Sequence, residues 1–379
     1  MALDHVRMYL SNAQFSPSNP DATNLALFLT RWITHFCAPG FFFVAGIGVS
    51  LYLAKSGNKF KVVQYLLSRG LWLIFLELTI IGFAWSFNPG WSFFGVMWAL
   101  GWAFLITAGA IYLPRLLLLV VSISIAFFHP VIFGDNLSSI ISNSSLASVL
   151  YDGGPATLPL LGEKGTVYTV LPWASIMTLG FALGPLFSAP SIVRMKRLAL
   201  LGASFTMVFL VFRVTNIYGN PQDISGGWSG LFSMGPDLAQ TMINLLNTNK
   251  YPPSPQFTLM TLGPLLLLLA WWARFDGIKA VPTWLKPIQI IGRVPFFFYV
   301  THIFLIHLAA LAAATLFNQP KSLLFWDGNY PSLTPPDGYG FSLLVVYVVW
   351  AAVVAALYFP SKWFEEVKRK NNAWWLRYL

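Results

Sequence analysis

Charge is what this sequence has least of. Asp, Glu, Lys and Arg together make up 9% of its 379 residues, against 56% hydrophobic and 17% aromatic ones. So little polar surface cannot cover a water-soluble globule of this size, which excludes a soluble enzyme or binding module and leaves a chain built for lipid. Cysteine is nearly as scarce. Cys37 stands alone, so no intramolecular disulfide forms and nothing is learned of the redox compartment. A small buried apolar role is the simplest account of that thiol. The signatures of soluble catalysts are missing too: no P-loop, no G-x-G-x-x-G, no G-x-S-x-G and no H-E-x-x-H occurs.

What the chain has is hydrophobic length. Runs able to cross a bilayer, roughly 20 residues each, lie near 28–54, 62–85, 92–112, 116–134, 168–188, 198–217, 256–273, 288–317 and 340–359. A further apolar segment opens the chain at 1–12, "MALDHVRMYLSN". At about 1.5 Å per residue it reaches roughly 18 Å, short of a crossing. The pattern predicts an all-α fold: a polytopic integral membrane helix bundle of about ten transmembrane helices, the first cut short, forming one domain over 1–379. The missing half of that first helix is expected upstream of Met1, in about 10 to 20 further residues.

Basic residues gather in cytoplasmic loops. Threading the spans back and forth with the C-terminus inside puts fifteen Lys and Arg on one side, from Lys55 to Arg377, against Asp276, Glu365 and Glu366. The opposite loops carry Lys164, Lys250 and Lys321 against eight acids. This asymmetry predicts a cytoplasmic C-terminus, and it accounts for the net charge of +10 without a nucleic-acid partner. The tail "VKRKNNAWWLRYL" is an interfacial anchor, with Trp374, Trp375 and Tyr378 at headgroup level. The outer loops near 135–167 and 218–255, rich in Gly, Pro, Ser and Asn, are expected to cap the outer face.

Few ionisable groups remain inside the spans: Asp4, Arg7, Arg31, Arg69, Glu77, Arg213 and Arg293, with His5, His35, His302 and His307 beside them. Each is costly in hydrocarbon and so faces protein or a wet cavity. Asp4 and Arg7, three apart, can pair on one face; Arg31 and His35, four apart, share a face with Thr34. His307 is five residues beyond His302, about 140° round the helix, so only one of them faces a given cavity. Arg69 and Glu77 suit a bracing network between helices, and His129, before Pro130, an interfacial helix end. Arg293 in "IGRVP" reads either as a snorkelling side chain or as an arginine that meets a phosphate entering from inside.

Asp4, His5, Arg31, His35 and His302 exceed what packing requires. A histidine beside a carboxylate can be held neutral and oriented to take a proton from a hydroxyl or amine, or can carry an acyl group itself. A nearby arginine stabilises anionic oxygen. No pair has metal-ligand spacing on one helix, so no metal is expected. On the residues alone, an acyl-transfer relay and a proton-coupled transporter or permease stand equal.

The segments "MALDHVRMYL", "TRWITHFCAPGFFFVAG", "SRGLWLIFLELT", "VYTVLPWASIMTLGFALG", "FRVTNIYGNP", "NKYPPSPQFTLMTLGP", "IGRVPFFFYVTHIFLIHLA" and "WWLRYL" resemble, in order, bacterial relatives of heparan-alpha-glucosaminide N-acetyltransferase. The resemblance runs over essentially the whole chain. It implies a membrane acyltransferase that takes an acyl group from cytoplasmic acetyl-CoA or another acyl-CoA and passes it to an amine or hydroxyl of a saccharide or glycolipid on the far side. A homodimer is left open. On this reading His35 is the first choice for base or acyl carrier, and His302 and His5 come next. Asp4 orients a histidine, Arg31 stabilises anionic oxygen, and Arg293, Lys286 and Lys279 receive the CoA phosphates.

Overall fold

The computed structural model describes residues 1–89, 92–133, 137, 141, 143–220, 230–276, 282–325, 335–371, 373 and 376. Among them, eight helices are long and apolar enough to cross a membrane: Leu25–Ser56, Lys59–Ser86, Arg115–Phe133, Val170–Ser188, Ser191–Thr215, Pro255–Phe275, Pro295–Leu316 and Leu343–Lys370. The chain is an all-α, multi-pass membrane bundle, as hydropathy predicts. Differences from the expected spans have local causes. The run at 92–112 folds as Val96–Ala110, a shorter apolar helix of 15 residues. The run at 288–317 is two helices, Lys286–Arg293 and Pro295–Leu316, because Pro295 cannot donate into the preceding turn and Val294 leaves helical geometry at φ −129° and ψ 48°. The opening segment is the helix Ala2–Leu10. In the expected cap at 135–167, Gly154–Leu158 and Gly162–Thr166 pair as an antiparallel hairpin.

Packing divides the chain into two units: residues 1–16, 79–92 and 277–379, and residues 17–78 and 93–276. In the second unit, several helices start where a polar side chain satisfies an orphan N–H. Asn24 accepts from Leu27 and Asn58 from Lys61, each at 3.0 Å. Three helix pairs dominate: Cys37–Ser56 with Val170–Leu183, Lys59–Leu76 with Val96–Ala110, and Ser191–Thr215 with Pro255–Trp272. Small residues let these backbones approach, as expected where lipid supplies no hydrophobic drive between helices. A Cβ on Gly70 would stand 2.7 Å from the Gly101 carbonyl, and one on Gly101 2.7 Å from that of Gly70.

Arg69 and Glu77 both brace the helix Val96–Ala110. The guanidinium of Arg69 lies 5.8 Å over the Phe104 ring. Gly95 offers that helix no side-chain cap, and the buried carboxylate of Glu77 accepts the Met97 N–H at 2.9 Å in its place. His129 is buried rather than interfacial. Its Nε2 donates to the Pro253 carbonyl at 3.1 Å, and its Nδ1 faces the Tyr151 hydroxyl at 3.0 Å. The proline after it sits inside the helix Arg115–Phe133, so the helix does not end there.

In the first unit, Ala2–Leu10 packs against Pro295–Leu316 and Leu343–Lys370. Polar threads tie it down. The Tyr9 hydroxyl donates to the Trp85 carbonyl, the Tyr339 hydroxyl donates to the Tyr9 carbonyl, and the Phe341 N–H donates to the Leu10 carbonyl at 2.7 Å. Gly340, at φ +93°, permits the close approach: a Cβ there would meet the Ser11 backbone at 2.5 Å. Burial pushes the Tyr339 phenol up to about 12 and keeps it a donor.

Candidate functional site

Two histidine rings meet in the first unit. His5 comes from Ala2–Leu10 and His302 from the middle of Pro295–Leu316. His5 Nδ1 and His302 Nε2 are 2.8 Å apart, with ring planes 12° from parallel. His302 is fully buried and His5 half-buried. The other nitrogen of His302, Nδ1, is 2.9 Å from the Phe298 carbonyl. A carbonyl only accepts, so His302 Nδ1 carries a hydrogen. With the ring neutral, its Nε2 then accepts from His5 Nδ1–H, and neutral His5 bears its basic lone pair on Nε2. Tautomer and orientation of His5 are both fixed by His302.

Aromatic rings shape the surroundings. Trp85 meets His5 edge-on with centroids 4.7 Å apart, and Tyr299 lies 5.5 Å from the His302 ring. On the same helix, Asp4, the residue before His5, accepts through Oδ1 from Arg7 Nη2 at 3.0 Å and Nε at 3.3 Å, a mostly buried pair. His307 takes no part in this pairing. Its Nδ1 donates to the Ala84 carbonyl at 2.9 Å and its ring stacks on Phe87 at 3.7 Å.

Arg31 and His35 belong to the second unit. His35 is buried on the 3-10 turn Ile33–Phe36 and meets Phe257 edge-on at 5.4 Å. Arg31 is half-buried in the last turn of Leu25–Trp32. Its charge reaches a cluster that residue spacing did not reveal. Lys250 Nζ lies 4.9 Å over the Tyr251 ring and 5.6 Å over that of Tyr168. Burial would raise the Tyr251 phenol, but Lys250 and Arg31, with hydrogen bonds from Lys250 and Tyr168, bring it below its ordinary value.

Arg293 closes the helix Lys286–Arg293, and its Nη1 donates to Glu365 Oε1 at 2.9 Å. Lys286 is exposed at the start of the same helix. Lys279 lies outside the described residues, as do the anchor residues Trp374, Trp375 and Tyr378. Among the described residues no three His, Cys, Asp or Glu side chains are placed to hold a metal ion.

A family model described as heparan-alpha-glucosaminide N-acetyltransferase, catalytic, matches residues 1–212. The chain belongs to the heparan-alpha-glucosaminide N-acetyltransferase family. Comparison with the curated proteins gives no match. Membership makes the chain a membrane acetyltransferase in the general sense. The matched segment of this family member contains Asp4, His5, Arg31 and His35, whereas His302 follows it. The fold supplies the second ring of the pair from outside that segment.

Proposed function

We propose that the chain transfers an acetyl group from acetyl-CoA to the amine or hydroxyl of a saccharide, with His5 as the base and His302 as its positioning partner. The observation that carries this reading is the fixed donor order from His5 Nδ1–H to His302 Nε2 to the Phe298 carbonyl. Nitrogen or oxygen of the acceptor attacks the thioester carbon. The new N–C or O–C bond forms, the C–S bond breaks, and His5 Nε2 takes the acceptor's proton and returns it to the departing thiolate. Such general base catalysis contributes about 10² to 10⁴ in rate. Arg7 neutralises Asp4, so the histidines work beside a closed ion pair rather than a bare carboxylate. His35, the base expected from the sequence, is the alternative at the same step, with Arg31 stabilising anionic oxygen.

The uneven distribution of bases supports a donor reaching the chain from the cytoplasmic side and an acceptor from the opposite side, in the plasma membrane. Lys286 and Arg293 receive the CoA phosphates in this proposal, and Lys279 is assigned with them.

The purified protein in detergent tests the reading. Acetyl-CoA should raise its melting temperature, and acetyl transfer to an amino sugar should fall in His5→Ala while thermal protection by acetyl-CoA persists. Absence of both protection and transfer in the wild type would overturn the proposal in favour of a proton-coupled permease. Loss of transfer in His35→Ala with full turnover in His5→Ala would move the base to His35.

A further inference from the structure

Two buried side chains that the transfer step leaves unused, Tyr9 and His307, close on the end of the short helix Gly82–Ser86. Phe87, with φ 49°, turns left-handed and ends that helix. The Phe87 N–H donates back to the Phe83 carbonyl at 2.7 Å, but the next two carbonyls have no following turn to bond. His307 Nδ1 donates to the Ala84 carbonyl at 2.9 Å, and the Tyr9 hydroxyl donates to the Trp85 carbonyl. These carbonyls flank the Trp85 Cα, one in the peptide plane before it and one in the plane after. Each plane is rigid, so the two bonds restrain both φ and ψ of Trp85 from two other helices, Pro295–Leu316 and Ala2–Leu10. Stacked rings reinforce the grip. Tyr9 lies 5.8 Å from Trp85 with planes 19° apart and 4.9 Å from His307 at 30°, and His307 lies 3.7 Å from Phe87 at 8°.

What the grip holds is a wall beside the histidine pair. Trp85 meets His5 with centroids 4.7 Å apart and planes 68° from parallel. His302 sets where the Nδ1–H of His5 points. One hydrogen bond does not by itself stop a ring from rolling about the line of that bond, and Trp85 stands crosswise against the roll. His5 Nε2 lies off the line, so its place depends on how far the ring can turn. Displacing a reacting group by about 1 Å costs about 10² in rate.

We propose that His307 and Tyr9 are positioning residues for the transfer step: they clamp Trp85 from both sides of its Cα, and Trp85 sets the plane of the His5 ring. The proposal rests on His5 acting as the base. His307 then works through a peptide group, by donating to it, and not as a second base.

The test uses the full chain in detergent and reads kinetics and structure separately. His307→Leu and Tyr9→Phe each remove one donor, and each should lower kcat for acetyl transfer by about 10- to 100-fold with the KM for acetyl-CoA near wild type. His307→Asn keeps an N–H close to the place of Nδ1 and should recover most of the loss. In a His5→Ala background, His307→Leu should cost nothing more, because groups that act as a unit are not additive. An unchanged kcat in both single-donor variants, no recovery in His307→Asn, or a full further loss on top of His5→Ala would each overturn the proposal. Tyr9→Phe, which loses only a hydroxyl, covers a His307 variant that folds poorly. The second readout needs no turnover. With ¹³C at the Cε1 of the five histidines, the NMR signal that vanishes in His5→Ala belongs to His5 and senses the ring current of Trp85. It should move in Trp85→Leu and also in His307→Leu and Tyr9→Phe; a signal unmoved in the last two overturns the clamp. Full turnover in His5→Ala with those shifts present sinks the base reading alone, whereas lost turnover in His5→Ala without them sinks the clamp alone.

Discussion

His5 Nδ1 and His302 Nε2 stand 2.8 Å apart, and a third atom, the Phe298 carbonyl, decides which of them donates. Phe298 lies on His302's own helix, whereas His5, 297 residues away in sequence, takes its orientation from a helix at the other end of the chain. If they act as one base, removing either removes most of the effect. His5→Ala and His302→Ala should each lower kcat by about 10² to 10⁴, and the double variant should be little worse than His5→Ala, because groups acting as a unit are not additive. The KM for acetyl-CoA should stay near wild type. Steady-state kinetics of the three variants checks this; additive losses would mean two independent roles.

Alkaline pH should loosen the clasp over the helix that carries His5. Burial raises the Tyr339 phenol to about 12, while its unfolded value is 10.0. Between these values the unfolded chain has released a proton that the native one keeps, so this stabilisation is complete below pH about 10 and is lost as the pH climbs toward about 12. Melting temperatures of wild type should fall across that window. Tyr339→Phe should begin lower, having lost the bond to the Tyr9 carbonyl, and then fall less steeply. Some slope should persist, because burial also raises Tyr218 to about 12.

Glu77 caps a helix that is not its own. Its carboxylate accepts the Met97 N–H at the start of Val96–Ala110, so Glu77→Ala leaves a buried donor without its partner and should cost about 1–3 kcal/mol. Glu77→Gln keeps an acceptor oxygen and should cost less. Gly95→Ala should resemble Glu77→Ala, since a Cβ on Gly95 would collide with Glu77 Oε1. Thermal unfolding in detergent ranks the three; a Glu77→Gln variant as unstable as Glu77→Ala would show that the charge, not the cap, matters.

Much of this was legible in local periodicity. Hydropathy located the membrane helices, and three-residue spacing paired Asp4 with Arg7, which bond at 3.0 Å. The wheel angle separated His302, paired with His5, from His307, which binds the Ala84 carbonyl. Local rules stopped where the backbone or topology changed them. The 3-10 turn Ile33–Phe36 advances about 120° per residue rather than 100°, so Arg31 and His35 are not aligned as an unbroken α-helix would align them. Pro295 split a run that hydropathy read as one span. Lys250, which read as a lone outer-loop base, lies against two tyrosines because its loop folds inward. The partners of Arg213 are mostly backbone carbonyls, which carry no side-chain signature at all.

Arg293 offers both its sequence readings at once. Its pairing with Glu365 uses one edge of a guanidinium whose side chain is still 55% exposed, while Glu365 is only 13% exposed. Such a pair contributes about 0–1 kcal/mol to stability, so replacing the arginine should barely change the melting temperature. The remaining donors can meet a phosphate. Lys286, exposed seven positions earlier on the same short helix, adds a second charge that acts at longer range. Arg293→Gln combined with Lys286→Gln should therefore weaken acetyl-CoA binding several-fold, most strongly at low ionic strength. Screening acts over about 30 Å at 0.01 M salt but only about 8 Å at 0.15 M, so wild type and variant should converge as salt rises. Titration calorimetry at two salt concentrations decides the matter. Identical affinities at low salt would reduce Arg293 to a brace between Lys286–Arg293 and Leu343–Lys370, and would place the CoA phosphates elsewhere.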